Sequence, residues 1–283
     1  MEPADIQRVG VVGAGTMGSG IAQVAATAGH DVVLQDVDRA ALERGVDSVE
    51  SGLARDGDVG PGVAESVRGR ISTTTEMEQV AGTDLVVEAV VERLDIKQDV
   101  FDSLDRLCDD ETVLGTNTST LSITTIAAAT ERPSQVVGVH FMNPVPVMPG
   151  VEVVVGEHTA PETTGLAHGF AEGLGKTTWE SADKPGFVVN RVLMPWINEG
   201  IRAYDEGVAS KADIDAGLRL GTNAPMGPLE LADHIGLDVA LHATETLHEE
   251  LGDRYRPAYL LKRKVEAGDL GKKTGRGFYE YEN

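Results

Sequence analysis

Arg8-Val9-Gly10-Val11-Val12-Gly13-Ala14-Gly15-Thr16-Met17-Gly18 is the stretch that decides how this chain folds. Its first six residues read as a buried strand, and Thr16 to Ala28 reads as a helix with small residues on its packing face. Between them the spacing is G-x-G-x-x-G. Gly13 allows a tight turn, Gly15 lets the backbone approach a pyrophosphate, and Gly18 lets helix and strand pack closely. The helix N-terminus, at Thr16 and Met17, presents free N–H groups and a positive dipole end to phosphates. Glycines also mark ordinary turns, so the spacing alone is weak. It gains weight from the strand before it, the helix after it and an acid downstream. Asp36 closes the next apolar run, Asp31 to Asp36. A carboxylate there accepts hydrogen bonds from a ribose 2′-hydroxyl and repels a 2′-phosphate, which predicts NAD rather than NADP as the cofactor.

Working outward, the first half alternates strand and helix. Helical patterns at Asp38 to Leu53 and Asp95 to Leu107 separate strand-like runs at Asp84 to Ala89, Thr112 to Gly115 and Gln135 to Val139. This βαβ rhythm predicts an α/β fold, a Rossmann-type, doubly wound parallel sheet. After Asp183-Lys184-Pro185-Gly186 the period becomes helical, over Phe187 to Gly207, Lys211 to Leu220, Leu229 to Leu251 and Ala258 to Ala267. The expected division is a dinucleotide-binding domain over 1–183 and an all-helical C-terminal domain over 184–283. Asp56 to Gly62 reads as a solvent-exposed turn.

The 283 residues carry a net charge of -22. Such a surface repels nucleic acid, whose binding needs phosphate neutralisation, and repels anionic membranes. Two explanations of the charge stay open: a cytoplasm rich in salt, where self-repulsion is screened, or a mildly acidic bacterial protein. No apolar run is long enough for a membrane span, and the acidic start Met1-Glu2-Pro3-Ala4-Asp5 is unlike a secretory signal, so a cytoplasmic protein is expected. Cys108, the only cysteine, is expected to be an inert packing residue. The histidines show no metal-ligand spacing.

The glycine loop does not name a reaction, because many dehydrogenases and silent nucleotide sensors share it. Other blocks do. Asn117-Thr118-Ser119-Thr120-Leu121 and His140-Phe141-Met142-Asn143-Pro144-Val145-Pro146-Val147-Met148 resemble the L-3-hydroxyacyl-CoA dehydrogenase family, which includes the 3-hydroxybutyryl-CoA dehydrogenases. So do Val151-Glu152-Val153, Lys184 to Arg191, Met226 to Asp233 with Ile235 to Asp238, and Gly271 to Tyr279. These blocks stand in the family's order over nearly the whole chain. The resemblance implies oxidation of an L-3-hydroxyacyl-CoA thioester to its 3-oxo form. It implies that His140 takes the hydroxyl proton, that Glu152 orients and stabilises the histidine, that Asn190 contacts the substrate near the thioester, and that Ser119 hydrogen-bonds the reacting oxygen. Glu92 and Lys97 match positions lining the cofactor cleft, and Asn117 is assigned to the cofactor with them. The family's helical domain builds a homodimer, which is expected here.

The chemistry fits these roles. Hydride transfer requires loss of the hydroxyl proton, imidazole has the intrinsic pKa to take it near neutrality, and a carboxylate on the other ring nitrogen fixes the tautomer. Each role has a plainer rival. A histidine after a strand can be a satisfied loop residue, Glu152 an outward-facing strand residue, Ser119 a helix cap, and Asn190 a polar face residue. The main rival activity is oxidation of a free hydroxy acid or sugar acid on the same fold. A catalytically silent NAD-binding protein would be expected to lack one of the four residues, and all are present. Two departures from the family stand out. Asp47 to Gly62 holds only Arg55 as a cation, where the family commonly has lysines near the CoA phosphates. Pro149-Gly150 stands where the family usually has Lys-Leu, in the segment leading to Glu152.

Overall fold

The structure is a computed structural model that describes residues 2–55 and 60–282. It divides into two compact units, Met1–Asp183 and Lys184–Asn283. Of the turn expected over Asp56 to Gly62, residues 56–59 lie outside the described residues, while residues 61 and 62 already belong to a helix.

The first unit runs β1 (Arg8–Val12), α1 (Thr16–Thr27), β2 (Asp31–Gln35), α2 (Arg39–Arg55), α3 (Pro61–Gly69), β3 (Ile71–Thr74), β4 (Leu85–Glu88), α4 (Leu94–Leu107), β5 (Val113–Thr116), α5 (Ile123–Ala127), β6 (Val136–Phe141), β7 (Gly150–Val155), α6 (Pro161–Gly173) and β8 (Thr177–Ala182). One sheet takes the order β3-β2-β1-β4-β5-β6-β7-β8. The pairs from β3 to β6 are all parallel, as the strand–helix alternation predicts for crossover connections. The sheet then departs from the purely parallel expectation. β7 returns antiparallel to β6, and β8 runs parallel to β7. A connection without a helix joins β6 to β7, and such a connection can only bring the chain back in the opposite direction.

Alternation along β6 and β7 sorts their residues by face. Val137, Val139, Phe141, Val151 and Val153 enter the core with Leu166 and Phe170 of α6. Each such side chain withdrawn from water contributes about 1.5–3 kcal/mol. His140 and Glu152 therefore lie on the opposite face. Cys108 is buried just after α4, and burial pushes its thiol up to about 11, so it stays protonated at neutral pH.

The second unit is helical: α7 (Val189–Asp205), α8 (Lys211–Thr222), α9 (Pro228–Ile235), α10 (Leu237–Leu251) and α11 (Tyr259–Glu266). The stretch expected as one helix over Leu229 to Leu251 is two. Gly236 sits between them at φ 100°, a conformation that ends α9 and that a side chain rarely adopts. Two buried acids tie the unit together. Asp215 accepts from the N–H groups of Leu229 and Glu230 at the start of α9 and from the Tyr279 hydroxyl. Asp233 accepts from the N–H groups of Phe278 and Tyr279 and from the Tyr281 hydroxyl. Among the described residues no helix is long and apolar enough to cross a membrane.

Candidate active site

The glycine loop has the shape its spacing implies. Gly13 has φ 102°, and a Cβ there would stand 2.6 Å from the Ala89 carbonyl oxygen. A side chain at Gly18 would overlap the Gly13 carbonyl, so α1 can start only where both are glycine. Gly15 differs: nothing lies within 4 Å of its missing Cβ. Packing does not require a glycine there, whereas close approach of a phosphate to the backbone does. Thr16 and Met17 open α1 directly after it. Asp36 stands at the end of β2, where its Oδ2 accepts the Ala14 N–H at 2.8 Å and its Oδ1 the Asp38 N–H at 2.9 Å. The carboxylate is thereby fixed beside the loop. These features fit a dinucleotide with a free ribose 2′-hydroxyl.

Across β6 and β7, His140 and Glu152 are direct partners in the antiparallel ladder. Opposite residues share a face, with Cβ atoms about 4.5–5.5 Å apart, so their side chains can meet. They do: His140 Nδ1 lies 3.1 Å from Glu152 Oε2. The carboxylate is fully buried and the histidine is 5% exposed. With Glu152 ionised, the bonded tautomer carries its proton on Nδ1 and a lone pair on Nε2, which suits the ring to accept a proton there. Glu152 is not an outward-facing strand residue.

The turn after β5 is organised by two residues. Asn117 Oδ1 accepts the backbone N–H of Phe141 at 2.8 Å, tying this turn to the end of β6. Glu92 Oε1 accepts from the Thr118 hydroxyl at 2.6 Å, from the N–H of Ser119 at 2.8 Å, and from the N–H and hydroxyl of Thr120, each at 3.1 Å. Ser119 is half-buried and precedes the helix without capping it. Ser122 is the N-cap of α5, its hydroxyl accepting from Thr125 N, and its own proton goes to Asp183 at 2.7 Å.

Lys97 is fully buried in α4, an unusual place for a lysine. Its Nζ lies 2.6 Å from Glu88 Oε1 and 3.4 Å from Glu92 Oε2. Glu88 ends β4 and also accepts from the Thr116 hydroxyl and the Val90 N–H. Burial pushes the Glu88 carboxyl above its ordinary range, against the pull of Lys97. Burial also opposes ionisation of Glu92, but Lys97 and the donors of the 118–120 turn outweigh it and hold that carboxyl below its ordinary value. Sequence reasoning picked out Glu92 and Lys97 as cleft-lining residues. It missed Glu88, the lysine's closer partner, which looked like an ordinary strand end.

In the second unit Asn190 is half-buried in the first turn of α7.

Residues 8–183 match the family described as 3-hydroxyacyl-CoA dehydrogenase, NAD binding domain, and residues 186–281 match the family described as 3-hydroxyacyl-CoA dehydrogenase, C-terminal domain. The chain belongs to the 3-hydroxyacyl-CoA dehydrogenase family. It is 51% identical over 282 residues to a probable 3-hydroxybutyryl-CoA dehydrogenase of Bacillus subtilis (strain 168), covering 98% of each chain. Its fold is similar to the crystal structure of FadB2 from M. tuberculosis, with a TM-score of 0.96 at 42% identity, covering 98% of this chain and 99% of that one. It is also similar to the (S)-3-hydroxybutyryl-CoA dehydrogenase PaaH1 from Ralstonia eutropha, with a TM-score of 0.93 at 43% identity, covering 99% and 100%. This member of the 3-hydroxyacyl-CoA dehydrogenase family is thus an oxidoreductase with an NAD-binding Rossmann-type domain followed by a helical one.

The departure at Pro149-Gly150 has a structural counterpart. A Cβ at Gly150 would stand 2.7 Å from the six-membered ring of Trp179 on β8. The indole fills the space that a side chain at 150 would take. Trp179 is also the ladder partner of Glu152, so the large ring lies on the same face as the His140–Glu152 pair. Nothing in the sequence marks this contact, because the two positions meet through the β7–β8 register.

Proposed function

We propose that this enzyme oxidises short-chain L-3-hydroxyacyl-CoA thioesters, 3-hydroxybutyryl-CoA first among them, to the 3-oxo thioesters, with His140 as general base. The observation that carries the reading is the buried His140–Glu152 contact at 3.1 Å. Bound NAD supplies the acceptor for the hydride leaving C3. Gly13, Gly15, Gly18, Thr16 and Met17 hold its pyrophosphate, Asp36 its adenosine ribose, and Asn117, Glu92 and Lys97 shape the cleft. His140 Nε2 takes the hydroxyl proton, and Glu152 fixes the ring and stabilises the imidazolium that forms. Ser119 donates to the reacting oxygen, and Asn190 contacts the substrate near the thioester. The names of the relatives in Bacillus subtilis and Ralstonia eutropha support the four-carbon substrate.

The second unit is proposed to dimerise. Val192, Leu220 and Tyr259 are 67%, 80% and 72% exposed on it, an apolar exposure that a second copy would cover. The deciding experiment measures NAD reduction with 3-hydroxybutyryl-CoA against free 3-hydroxybutyrate. Turnover of the thioester at a far higher kcat/KM is expected, and preference for the free acid would overturn the reading.

A further inference from the structure

Lys176 is buried immediately before β8. Its ammonium donates to the carbonyl oxygens of Val145 at 2.7 Å and Met148 at 2.8 Å. The next residue, Thr177, donates its backbone N–H to the Pro149 carbonyl at 2.7 Å. Two consecutive residues therefore hold three carbonyls of one loop, residues 142–149. That loop is the entire connection between the strand of His140 and the strand of Glu152.

On its other side the loop rests on the cofactor-binding helix. Val145 is 2% exposed, and its Cβ is 2.9 Å from where a side chain at Gly20 of α1 would begin. The loop is thus seated between α1 and Lys176.

Register explains why such a seat matters. A two-residue hairpin turn sets the pairing of its strands through its own geometry. The connection here is far longer, so its own turn geometry does not fix the pairing, which rests on the buried alternation of β6 and β7 and on how the loop is held. A slip of one residue would turn Glu152 to the opposite face of the sheet, away from His140. Burying an ammonium is costly, and here burial lowers the lysine's pKa with no carboxylate pulling it back. Among the described residues, the hydrogen bonds that offset this cost go to the loop.

We propose that Lys176 is a positioning residue, which holds the 142–149 loop so that His140 and Glu152 stay on one rung. The inference rests on the His140–Glu152 reading above.

The test is Lys176→Met, which keeps the length and removes the donors, alone and combined with Glu152→Gln. With NAD and 3-hydroxybutyryl-CoA, kcat is expected to fall about tenfold or more, while the acyl-CoA KM and the NAD dissociation constant stay within about threefold. In the Glu152→Gln background the same substitution is expected to cost less than about threefold, because the pair it serves is already broken. A merely structural role would lower both backgrounds equally. A folded Lys176→Met enzyme within about twofold of wild-type kcat, or a loss undiminished beside Glu152→Gln, overturns the proposal. If the methionine variant does not fold, Lys176→Gln, which keeps an amide donor, is put through the same comparison. Glu152→Gln alone with wild-type kcat would overturn the His140–Glu152 reading itself, a result distinct from any failure at Lys176.

Discussion

His140 and Glu152 are twelve residues apart in the chain and face each other across one antiparallel rung, Nδ1 to Oε2 at 3.1 Å. General-base catalysis contributes about 10²–10⁴-fold. His140→Gln keeps a polar shape without a basic nitrogen, so kcat is expected to drop by about that factor, with NAD affinity nearly unchanged. The double variant with Glu152→Gln is expected to lose much less than the product of the two single losses, because the pair acts as one unit. Steady-state kinetics with separate measurement of NAD binding checks this.

Asp36 is expected to set cofactor choice. Its carboxylate is held by the Ala14 and Asp38 N–H groups, where it would face an added 2′-phosphate. Wild type should show a higher kcat/KM with NAD than with NADP. Asp36→Ala should narrow that ratio chiefly by weakening use of NAD. Comparing kcat/KM for both cofactors in both proteins decides it, and a wild-type preference for NADP refutes the assignment.

Lys97→Met would strand Glu88 and expose Glu92 to an uncompensated neighbour. Breaking a buried ion pair by removing one partner costs about 3–5 kcal/mol. The prediction is a loss of that order in urea unfolding. Pairing the substitution with Glu88→Gln should recover part of it, because the stranded charge is then gone. A Lys97→Met protein as stable as wild type would mean that the buried pair contributes nothing.

The pH dependence of the 118–120 turn follows from Glu92. Its carboxyl is held below its ordinary value in the fold, so its contribution is fully present above the ordinary glutamate range. It is lost as pH falls through the lowered folded value. Thermal unfolding from neutrality down to about pH 3 should therefore decline less steeply in Glu92→Gln than in wild type, since an amide has no proton to gain. Parallel curves would remove Glu92 as a source of acid lability.

Gly150 and Trp179 are expected to behave as one unit. Gly150→Leu places a side chain into the indole and should destabilise the protein by about 1–3 kcal/mol or more, as overpacking does. Trp179→Val should leave a void of similar cost. Together they should be less damaging than the sum, the leucine occupying space vacated by the ring. Melting temperatures of the four proteins give the coupling directly, and strict additivity would contradict it.

The parts of the fold that could be read in the sequence were those whose causes are local. Gly13 and Gly18 are demanded by a turn and a helix contact a few residues away, and the β1–α1–β2 unit follows from them. The β7 and β8 strands were not legible as sheet members, because their places depend on pairing with residues far along the chain. Glu152 was found through a resemblance, while its burial and its rung became visible only with the antiparallel return. Gly236 was hidden inside a helical period that resumes on both sides of it. Ser119 was the cap candidate in the sequence, and the cap is Ser122, three residues on, whose hydroxyl accepts from the Thr125 N–H. The burial of Lys97 and Lys176 was the hardest feature to read, since a lysine is ordinarily a surface residue and only its surroundings say otherwise.

The tail beyond α11 is not a loose end. Asp233 is 1% exposed, and every hydrogen bond given above for its carboxylate comes from residues 278–281. Removing those residues would leave two acids, Asp215 and Asp233, short of donors inside an apolar unit. A proteolytic nick or a truncating stop codon at Gly277 would thus injure the helical unit from within, although it deletes none of the helices. Engineering that needs a handle at this end has to start it after Tyr281.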